Sequence, residues 1–512
     1  MPIPKSVFII ISFLVIRHLS FAQLSQVNTQ SGLVAGDKVG ELIIFKGIPF
    51  AAPPIGDHRW KAPKPAAKWK GVRQCTAFSA SPFQPKPAPF YCWSEEFIAP
   101  PEPLSEDCLY LNIWTGAKSK SEKRPVFVWI YGGGFSSGSA ACAIYDGAEM
   151  AKRGIIFVSI NYRVGPFGFM AHPELSKEQN NTSGNYGIMD QVAALRWIQK
   201  NISAFGGDPQ QVTIAGQSAG SMSVFSLVAS PLAKGLFQRA IAQSGGIIDG
   251  LLMSPLASAE KNGLAIQQQT GAKNLSELRK KTAAEILLAS QSKEVGRLGL
   301  TLDGFVLPAD LGNAFASQKF NQVPMLMGWV SGDASLFGAS DITAEKFKQQ
   351  AVDKYGTRSG EFLKIFPATT NEAAQYNQSR LTLLSFAAYP AHKLAGYNPN
   401  PSYVYQVVHV PTDKPGFPNY GAFHTSEVPY ALHTLHTWKR PWQQHDYDVE
   451  GLMSTYWLQF IKTGNPNGNG LPEWKPYNKT EGAILEIDAT SVLKPALFKN
   501  ELDVLESLDS GK

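Results

Sequence analysis

Apolar runs of strand length alternate with helical patterns over most of the chain beyond residue 100. The runs are almost continuously apolar, which is typical of strands that are buried on both faces. Residues 189–205 and 221–229 have apolar positions at helical spacing. Together these patterns predict an α/β protein with a large, mostly parallel sheet flanked by helices. The predicted strands are Cys108–Trp114, Pro125–Tyr131, Ile155–Tyr162, Val212–Ala215, Arg239–Ser244 and Val323–Val330.

The remaining segments extend this pattern without dividing it. Two short runs, 32–35 and 41–45, flank a turn and predict an N-terminal hairpin. Residues 250–320 and 343–395 have helical patterns and are predicted insertions between the later strands. No linker, low-complexity tract or fixed-period repeat separates independent units. We therefore expect residues 23–512 to form a single domain.

The first 22 residues have the pattern of a secretory signal peptide. Lys5 supplies the positive charge, and residues 7–16 form an apolar stretch that is too short to span a bilayer. Ser20-Phe21-Ala22 then places small residues at the positions that a signal peptidase recognises. We expect a mature chain that begins at Gln23, is secreted or periplasmic, and has no stable membrane insertion.

Charge and histidine spacing narrow the possible functions. The chain has a formal charge of +6, which falls by two to +4 when Lys5 and Arg17 leave with the signal peptide. This charge is spread without basic runs, which argues against a nucleic-acid partner. His433 and His436 form an HxxH pair that lacks the adjacent glutamate of a zinc protease. We expect neither a metal nor another cofactor.

Two segments match the G-x-S-x-G pattern of a serine nucleophile, and their contexts separate them. Ser218 lies in Gly216–Gly220, after the strand-like residues 211–214 and before a helix. A strand–turn–helix context holds a serine in a strained backbone conformation and exposes its hydroxyl group. Ser136 also lies between two matching glycines, but no helix follows it, and we interpret it as a loop residue. Ser218 is therefore the predicted nucleophile.

Three consecutive glycines lie upstream of Ser218, where oxyanion donors would be expected. They belong to Tyr131–Phe135, which follows the predicted strand beginning at Pro125. Glycines allow backbone N–H groups to turn toward a developing negative charge. Because a nucleophile motif follows in the right order, we interpret this segment as functional rather than as a flexible turn.

These motifs resemble those of the type-B carboxylesterase and cholinesterase family, and the resemblance runs from about residue 30 to beyond 480. It implies an α/β-hydrolase fold in which helical insertions form a gorge leading to the nucleophile. It also implies oxyanion donors at Gly133, Gly134 and Ala219. Further segments that carry the resemblance are Phe45–Pro54, Ser105–Asn112, Asn161–Gly165 and Phe205–Pro209.

The family places the acid and the base after the serine. His424 begins a segment, through Tyr430, that resembles the family's catalytic-histidine loop, so we expect His424 to be the base. His409, in an apolar strand-like run, is interpreted as structural. His424 is therefore preferred among the histidines downstream of Ser218.

Asp333 resembles the catalytic acid of the family, because it lies in the corresponding loop after the strand-like residues 325–330. Most members have glutamate there. Aspartate is shorter by one methylene, so its loop must lie closer to His424. Asp303 and Asp341 remain alternatives, each of which fits a turn or cap residue as well.

Other positions depart from the family pattern. Gln217 stands where many relatives have glutamate, which removes a negative charge from the gorge and disfavours a cationic, choline-type substrate. Cys108 matches one half of the family's first disulfide, whereas the usual partner position is Pro82. We expect a Cys75–Cys108 disulfide, with Cys92 as the competing partner.

Together these residues predict a secreted serine hydrolase that cleaves small neutral carboxylic esters through an acyl-enzyme. One alternative, a feruloyl or acetyl esterase that tailors polysaccharides, shares this chemistry. The other is a non-catalytic cholinesterase-like binding protein, a class that has usually lost a triad member. Fold does not choose between substrates, and the sequence makes no prediction about the oligomeric state.

Overall fold

The computed structural model describes residues 24–248, 253–338 and 340–510. The predicted signal peptide, residues 1–22, lies outside the described residues. Within the described ranges, no helix has both the length and the apolar character needed to cross a membrane.

Eleven strands form one continuous sheet at the centre of the described chain. They are β1 (Asp37–Val39), β2 (Leu42–Pro49), β3 (Tyr110–Thr115), β4 (Arg124–Ile130), β5 (Ile156–Ile160), β6 (Gly207–Gln217), β7 (Arg239–Gln243), β8 (Met325–Val330), β9 (Ser402–Val407), β10 (Ile484–Ile487) and β11 (Val492–Lys494).

The order across the sheet is β1-β2-β3-β5-β4-β6-β7-β8-β9-β10-β11. Strands β4 to β10 run parallel to one another, whereas β1 to β3 and β11 pair antiparallel at the two ends. Every residue of β5, β8 and β9 is buried. Burial on both faces explains the continuous apolar runs, and the predicted mostly parallel sheet is confirmed.

Helices flank this sheet, and several lie in the two segments predicted as helical insertions. A π-helical turn at Leu384–Ala388 joins two of them. The α-helices are Ala148–Lys152, Gly165–Phe169, Pro173–Glu178, Tyr186–Asn201, Ala219–Ala229, Leu256–Gln269, Leu275–Lys280, Ala283–Ser290, Leu311–Ala316, Ala344–Tyr355, Ser359–Ile365, Asn371–Leu383, Tyr389–Tyr397, Val428–Leu432, Gln444–Thr463 and Lys499–Ser510.

Three small sheets and several 3₁₀ turns complete the described structure. One sheet contains Gln26–Asn28, Leu33–Ala35 and Val72–Gln74, the second pairs Ser81–Pro82 with Leu104–Ser105, and the third pairs Met253–Pro255 with Leu300–Leu302. The 3₁₀ turns are Gly56–His58, Glu95–Phe97, Lys120–Glu122, Ala143–Tyr145, Ile202–Phe205, Pro231–Ala233, Asp333–Phe337, Gly356–Arg358 and Leu435–Thr437.

The predicted N-terminal hairpin is wrong in its pairing. Leu33–Ala35 pairs with Gln26–Asn28 and Val72–Gln74 in a small separate sheet. The partner of β2 is instead β1, whose residues were predicted to lie in the turn. Gly40 explains this pairing, because its φ of +58° closes the tight turn between β1 and β2.

The predicted Cys75–Cys108 disulfide is not formed in this structure. Cys75, Cys92, Cys108 and Cys142 are all buried free thiols within the hydrophobic core. Cys75 follows the edge strand Val72–Gln74, where burial raises its pKa to about 11. Cys108 is fully buried, which raises its pKa well above the usual value, and it interacts with the charges of a separate ion pair. The two side chains therefore pack in the core as apolar groups.

That ion pair joins Arg163 and Asp190. Arg163 Nη2 donates to Asp190 Oδ1 at 2.7 Å, and both side chains are buried. Arg163 Nη2 also donates to the backbone oxygen of Lys61 at 2.9 Å. The pair thus ties the segment after β5 to a helix and to the N-terminal region.

Candidate active site

Ser218 lies at the sharp turn between β6 and the helix Ala219–Ala229, which we call the elbow helix. Its backbone has φ of +60° and ψ of −124°, a conformation that non-glycine residues rarely adopt. Two glycines permit this turn. A Cβ on Gly220 would lie 2.1 Å from Ile130 O, and one on Gly216 would lie 2.5 Å from the Gly220 backbone. The helix therefore packs directly against the end of β4.

The glycine-rich segment after β4 packs against this turn. A Cβ on Gly132 would lie 2.6 Å from Gln217 O and 3.0 Å from Ser218 Cβ. Gly133 and Gly134 have φ of +116° and +61°. Among the described residues, their N–H groups donate to no backbone acceptor. These two amides are thus available beside Ser218, together with that of Ala219, the first residue of the elbow helix.

Asp333 and His424 are brought into direct contact. His424 Nδ1 donates to Asp333 Oδ1 at 2.6 Å, and both side chains are buried. The other carboxylate oxygen of Asp333 accepts a hydrogen bond from Val330 N at 3.2 Å, at the end of β8. Since one oxygen is held by the backbone, the other is fixed toward the imidazole.

The Asp333 loop is in direct backbone contact with the histidine loop. Gly332 forms a β-bridge with Phe423, and its N–H donates to Ala422 O at 3.0 Å. A Cβ on Gly332 would lie 2.4 Å from Ala422 O. This approach places Asp333 within hydrogen-bonding distance of His424.

The other candidates of the sequence analysis lie in other surroundings. Asp303 Oδ1 accepts hydrogen bonds from the N–H groups of Phe305, Val306 and Leu307, as a turn residue does. Asp341 is exposed. Ser136 is an exposed loop residue whose hydroxyl donates to Gly133 O at 3.1 Å.

His409 is held between two carboxylates away from Ser218. Its Nδ1 lies 2.9 Å from Asp488 and its Nε2 lies 3.1 Å from Asp446. His445 adds a third atom that is able to bind a metal. However, Asp446 already accepts hydrogen bonds from His409, Thr412, Tyr430 and the backbone of Gln443. Although burial opposes it, these bonds lower the pKa of Asp446, which is the behaviour of a structural ion pair.

Gln217 has a contact that the sequence analysis did not anticipate. Its Nε2 lies 3.2 Å from His424 Nε2. Its Oε1 accepts a hydrogen bond from Thr425 Oγ1 at 3.3 Å, and Thr425 Oγ1 in turn accepts one from Trp93 Nε1 at 3.2 Å. A neutral amide thus adjoins the imidazole where many relatives have a carboxylate. Trp93 lies in a proline-rich stretch without a motif, so its place in this network was not predictable.

Glu427 is a second buried carboxyl group behind His424. It lies in the predicted histidine loop, but the sequence assigned it no function. Burial and the neighbouring charge of Asp333 raise its pKa to about 8. Its Oε1 accepts a hydrogen bond from Ser244 Oγ at 3.1 Å. Glu427 is therefore mostly protonated at neutral pH, which avoids two adjacent buried negative charges.

A cavity of about 820 Å³ opens above these residues and is lined by Gly132–Gly134, Gln217, Ser218 and His424. Seven of the residues in its wall are aromatic. The aromatic residues in contact with the cavity are Phe90, Tyr91, Trp93, Phe97, Tyr145, Phe337 and Phe386. Such a cavity holds a small molecule with a substantial apolar part.

The family model of the carboxylesterase family matches residues 23–505. The chain belongs to the carboxylesterase family. It is 33% identical to fumonisin B1 esterase of Sphingopyxis macrogoltabida, over 88% of this chain and 84% of the relative. It is also 33% identical to para-nitrobenzyl esterase of Bacillus subtilis, over 90% of this chain and 94% of that enzyme.

Solved structures agree with this assignment. The Geobacillus stearothermophilus carboxylesterase Est55 superposes on this carboxylesterase with a TM-score of 0.81 at 32% identity, covering 94% of this chain and 99% of that one. A PNB esterase structure gives a TM-score of 0.82 at 30% identity, covering 95% and 99%. The predicted family and the α/β-hydrolase fold are confirmed, and the protein is a carboxylesterase that hydrolyses carboxylic esters.

The buried carboxyl group of Glu427 predicts a distinct pH dependence of stability. Because its pKa is raised from 4.5 to about 8, the folded state holds a proton that the unfolded state loses. The stability that this proton contributes to the folded state is therefore complete below about pH 4.5. It is lost as pH rises toward 8, at up to about 1.4 kcal/mol per pH unit. The stability of the Glu427→Gln variant relative to wild type should therefore increase as the pH rises from 5 to 8. Thermal unfolding midpoints of the two proteins measure this difference.

Glu481→Gln, which replaces an exposed carboxyl group, is the matched control. A difference between Glu427→Gln and wild type that stays constant from pH 5 to 8 would contradict the assignment of a raised pKa.

Proposed function

We propose that this carboxylesterase cleaves esters through an acyl-enzyme, with Ser218 as nucleophile, His424 as base and Asp333 as the acid that orients the base. The hydrogen bond of 2.6 Å between His424 and Asp333, beside the strained turn of Ser218, carries the proposal. The burial of both groups supports it, because a buried carboxylate strongly favours the charged imidazole that forms during reaction.

The reaction has two halves. His424 removes the proton of Ser218 Oγ while this oxygen attacks the ester carbonyl, and the tetrahedral intermediate collapses as His424 protonates the departing alcohol. Water then attacks the acyl-enzyme with His424 again as base, the bond from the acyl carbon to Ser218 Oγ breaks, and His424 returns the proton to Ser218 as the acid leaves. Asp333 keeps the proton on Nδ1, so that Nε2 is the nitrogen that exchanges protons with Ser218 and with water.

The oxyanion donors in this proposal are the N–H groups of Gly133, Gly134 and Ala219. The positive φ angles of the two glycines support it, because other residues reach such conformations only with strain. Gly134 and Ser218 line one cavity. The start of the elbow helix adds a partial positive charge beside Ser218. Each donor of this kind contributes about 3 kcal/mol to transition-state stability.

The proposed substrates are small esters with an apolar part, in keeping with the aromatic walls of the cavity. The neutral side chain of Gln217 argues against choline-type esters. A polysaccharide-tailoring esterase uses the same residues, so substrate turnover must decide between these two. All three triad candidates are present, and the hydrogen bond between His424 and Asp333 supports an enzyme over the non-catalytic binding protein.

We further propose that the protein is secreted or periplasmic. Residues 1–22 support this location by their sequence pattern, and the family match begins directly afterwards at residue 23. Amino-terminal sequencing of protein recovered from the medium or periplasm tests this. A start at Gln23 is expected, and an exported chain that retains Met1 would contradict the proposed cleavage.

Ser218 should be the residue labelled by a fluorophosphonate probe, because such probes react with activated serine hydroxyl groups. Ser218→Ala should abolish labelling and reduce kcat for a 4-nitrophenyl ester by about 10⁶-fold. Mass spectrometry of the labelled peptide and a panel of 4-nitrophenyl, feruloyl and choline esters provide the measurements.

Ser136→Ala is the matched control, since Ser136 also lies between two glycines. Full labelling of Ser218→Ala, or its loss in Ser136→Ala, would overturn the assignment. Exclusive turnover of feruloyl esters would favour the polysaccharide-tailoring alternative.

Asp333→Asn should keep the fold but lower kcat by about 10⁴-fold, by analogy with the serine-protease triad, because the amide favours the wrong imidazole tautomer. Asp333→Glu should also lower kcat, by about 10- to 100-fold. Both side chains are buried and already lie 2.6 Å apart, so another methylene would displace the imidazole.

Asp303→Asn is the control, because Asp303 accepts three turn hydrogen bonds and should affect stability rather than kcat. Steady-state kinetics on folded protein, verified by circular dichroism, distinguish these effects. Unchanged kcat in Asp333→Asn together with an inactive Asp303→Asn would identify Asp303 as the acid.

A further inference from the structure

The charged side chains that line the cavity above Ser218 are all positive. Lys86 and Arg297 both contribute to its wall, and no aspartate or glutamate of the described residues does. Asp333, the carboxylate partner of His424, lies behind the imidazole and is fully buried. A substrate in the cavity therefore meets an apolar wall with a positive charge on it, without a compensating negative charge.

Arg297 is the cation that lies close to the glycine segment beside Ser218. A Cβ built on Gly134, a proposed oxyanion donor, would lie 3.9 Å from Arg297 Nη2. The guanidinium group would thus be in van der Waals contact with a side chain at position 134, next to the backbone that would bind the ester oxygen. Among the described residues, no carboxylate forms a salt bridge with Arg297.

The segment that carries Arg297 is held in place by one side chain. Asn262 Nδ2 donates to Arg297 O at 3.3 Å, while Asn262 Oδ1 accepts from Gly296 N at 3.0 Å. Asn262 thus binds the N–H group of Gly296 and the carbonyl oxygen of Arg297, which lie on either side of the peptide bond between these two residues. Such anchoring positions the guanidinium before a ligand arrives, which lowers the entropic cost of binding.

The surroundings of Arg297 favour an anionic ligand. Its side chain is exposed to solvent at the cavity wall, and partial desolvation lowers the pKa of the guanidinium group. Removing a cation from water without a partner carries an energetic cost, and a carboxylate that forms two hydrogen bonds with the guanidinium group offsets it. A neutral ester gains nothing from this contact, and a cationic ester is repelled.

We infer that Arg297 selects esters that carry a carboxylate group a few atoms from the scissile carbonyl, such as half-esters of dicarboxylic acids. This inference rests on the proposed function of Ser218 and names the substrate class of the same site. Arg297 binds the free carboxylate while Ser218 attacks the ester. The carboxylate is not altered, so Arg297 is a specificity-determining residue and not a catalytic one.

Matched substrate pairs test the inference. Mono-4-nitrophenyl adipate and 4-nitrophenyl hexanoate have acyl chains of equal length and differ in the terminal carboxylate. 4-Acetoxybenzoate and its methyl ester place the same difference on the alcohol side. For each pair, the measured quantity is the ratio of kcat/KM for the charged ester to that for the neutral ester.

Arg297→Gln should lower this ratio by about tenfold for at least one pair, the size expected of one charge-assisted contact in a partly solvated site. The change should lie mainly in KM, because the contact exists in both ground and transition states. Arg297→Lys should retain part of the ratio. In wild type the ratio should fall with added sodium chloride, and in Arg297→Gln it should not.

Lys293→Gln is the matched control, because Lys293 is exposed on the same segment and does not line the cavity. An equal kcat/KM ratio in wild type and Arg297→Gln for both pairs would overturn the inference. A fall of this ratio in Lys86→Gln but not in Arg297→Gln would also overturn it. Charge reversal in Arg297→Glu should raise turnover of acetylthiocholine relative to wild type.

Failure of the proposed function is distinguishable from failure of this inference. If wild type cleaves no ester of either pair, or if Ser218→Ala cleaves them equally well, the proposed function fails. If both members of each pair are cleaved in a Ser218-dependent reaction and substitution of Arg297 does not change the ratio of kcat/KM, the inference fails while the proposed function stands.

Discussion

The hydrogen bond between His424 and Asp333 is the contact on which the candidate site depends. It exists because two loops meet beyond the sheet, where Gly332 bridges Phe423 and a side chain at position 332 would not fit. The parallel strands make this meeting possible, since their carboxyl ends lie along one edge. Ser218 after β6 and the glycine segment after β4 lie at the same edge, so one cavity brings them together.

Charge is separated across this site. Behind the imidazole lie the carboxyl groups of Asp333 and Glu427, of which the second has its pKa raised to about 8 by burial and by the first. Only one negative charge is thus retained beside His424 at neutral pH. In front lie the neutral amide of Gln217 and the cation Arg297. In the proposed mechanism, the carboxylate behind the imidazole stabilises its charged form, and the proposed role of Arg297 in front is to select the substrate.

Family membership and substrate preference come from different parts of the chain. The glycine segment, the elbow and the histidine loop occur in this order along the sequence, within the residues that match the carboxylesterase family. The cavity wall includes residues such as Trp93, Arg297 and Phe386, which lie outside those motifs. Relatives at 33% identity therefore establish ester hydrolysis, and the wall determines which ester fits.

The sequence alone determined the strand–helix alternation and the motifs around Ser218, because buried strands and sharp turns restrict which residues are allowed locally. It also predicted Asp333 and His424 as acid and base, but only the tertiary structure brought them within 2.6 Å, since 90 residues separate them along the chain. The pairing of β1 with β2 and the free cysteines were missed, because strand partners and thiol distances depend on packing rather than on local pattern. Arg297 lies outside every motif, and only folding placed it beside Gly134.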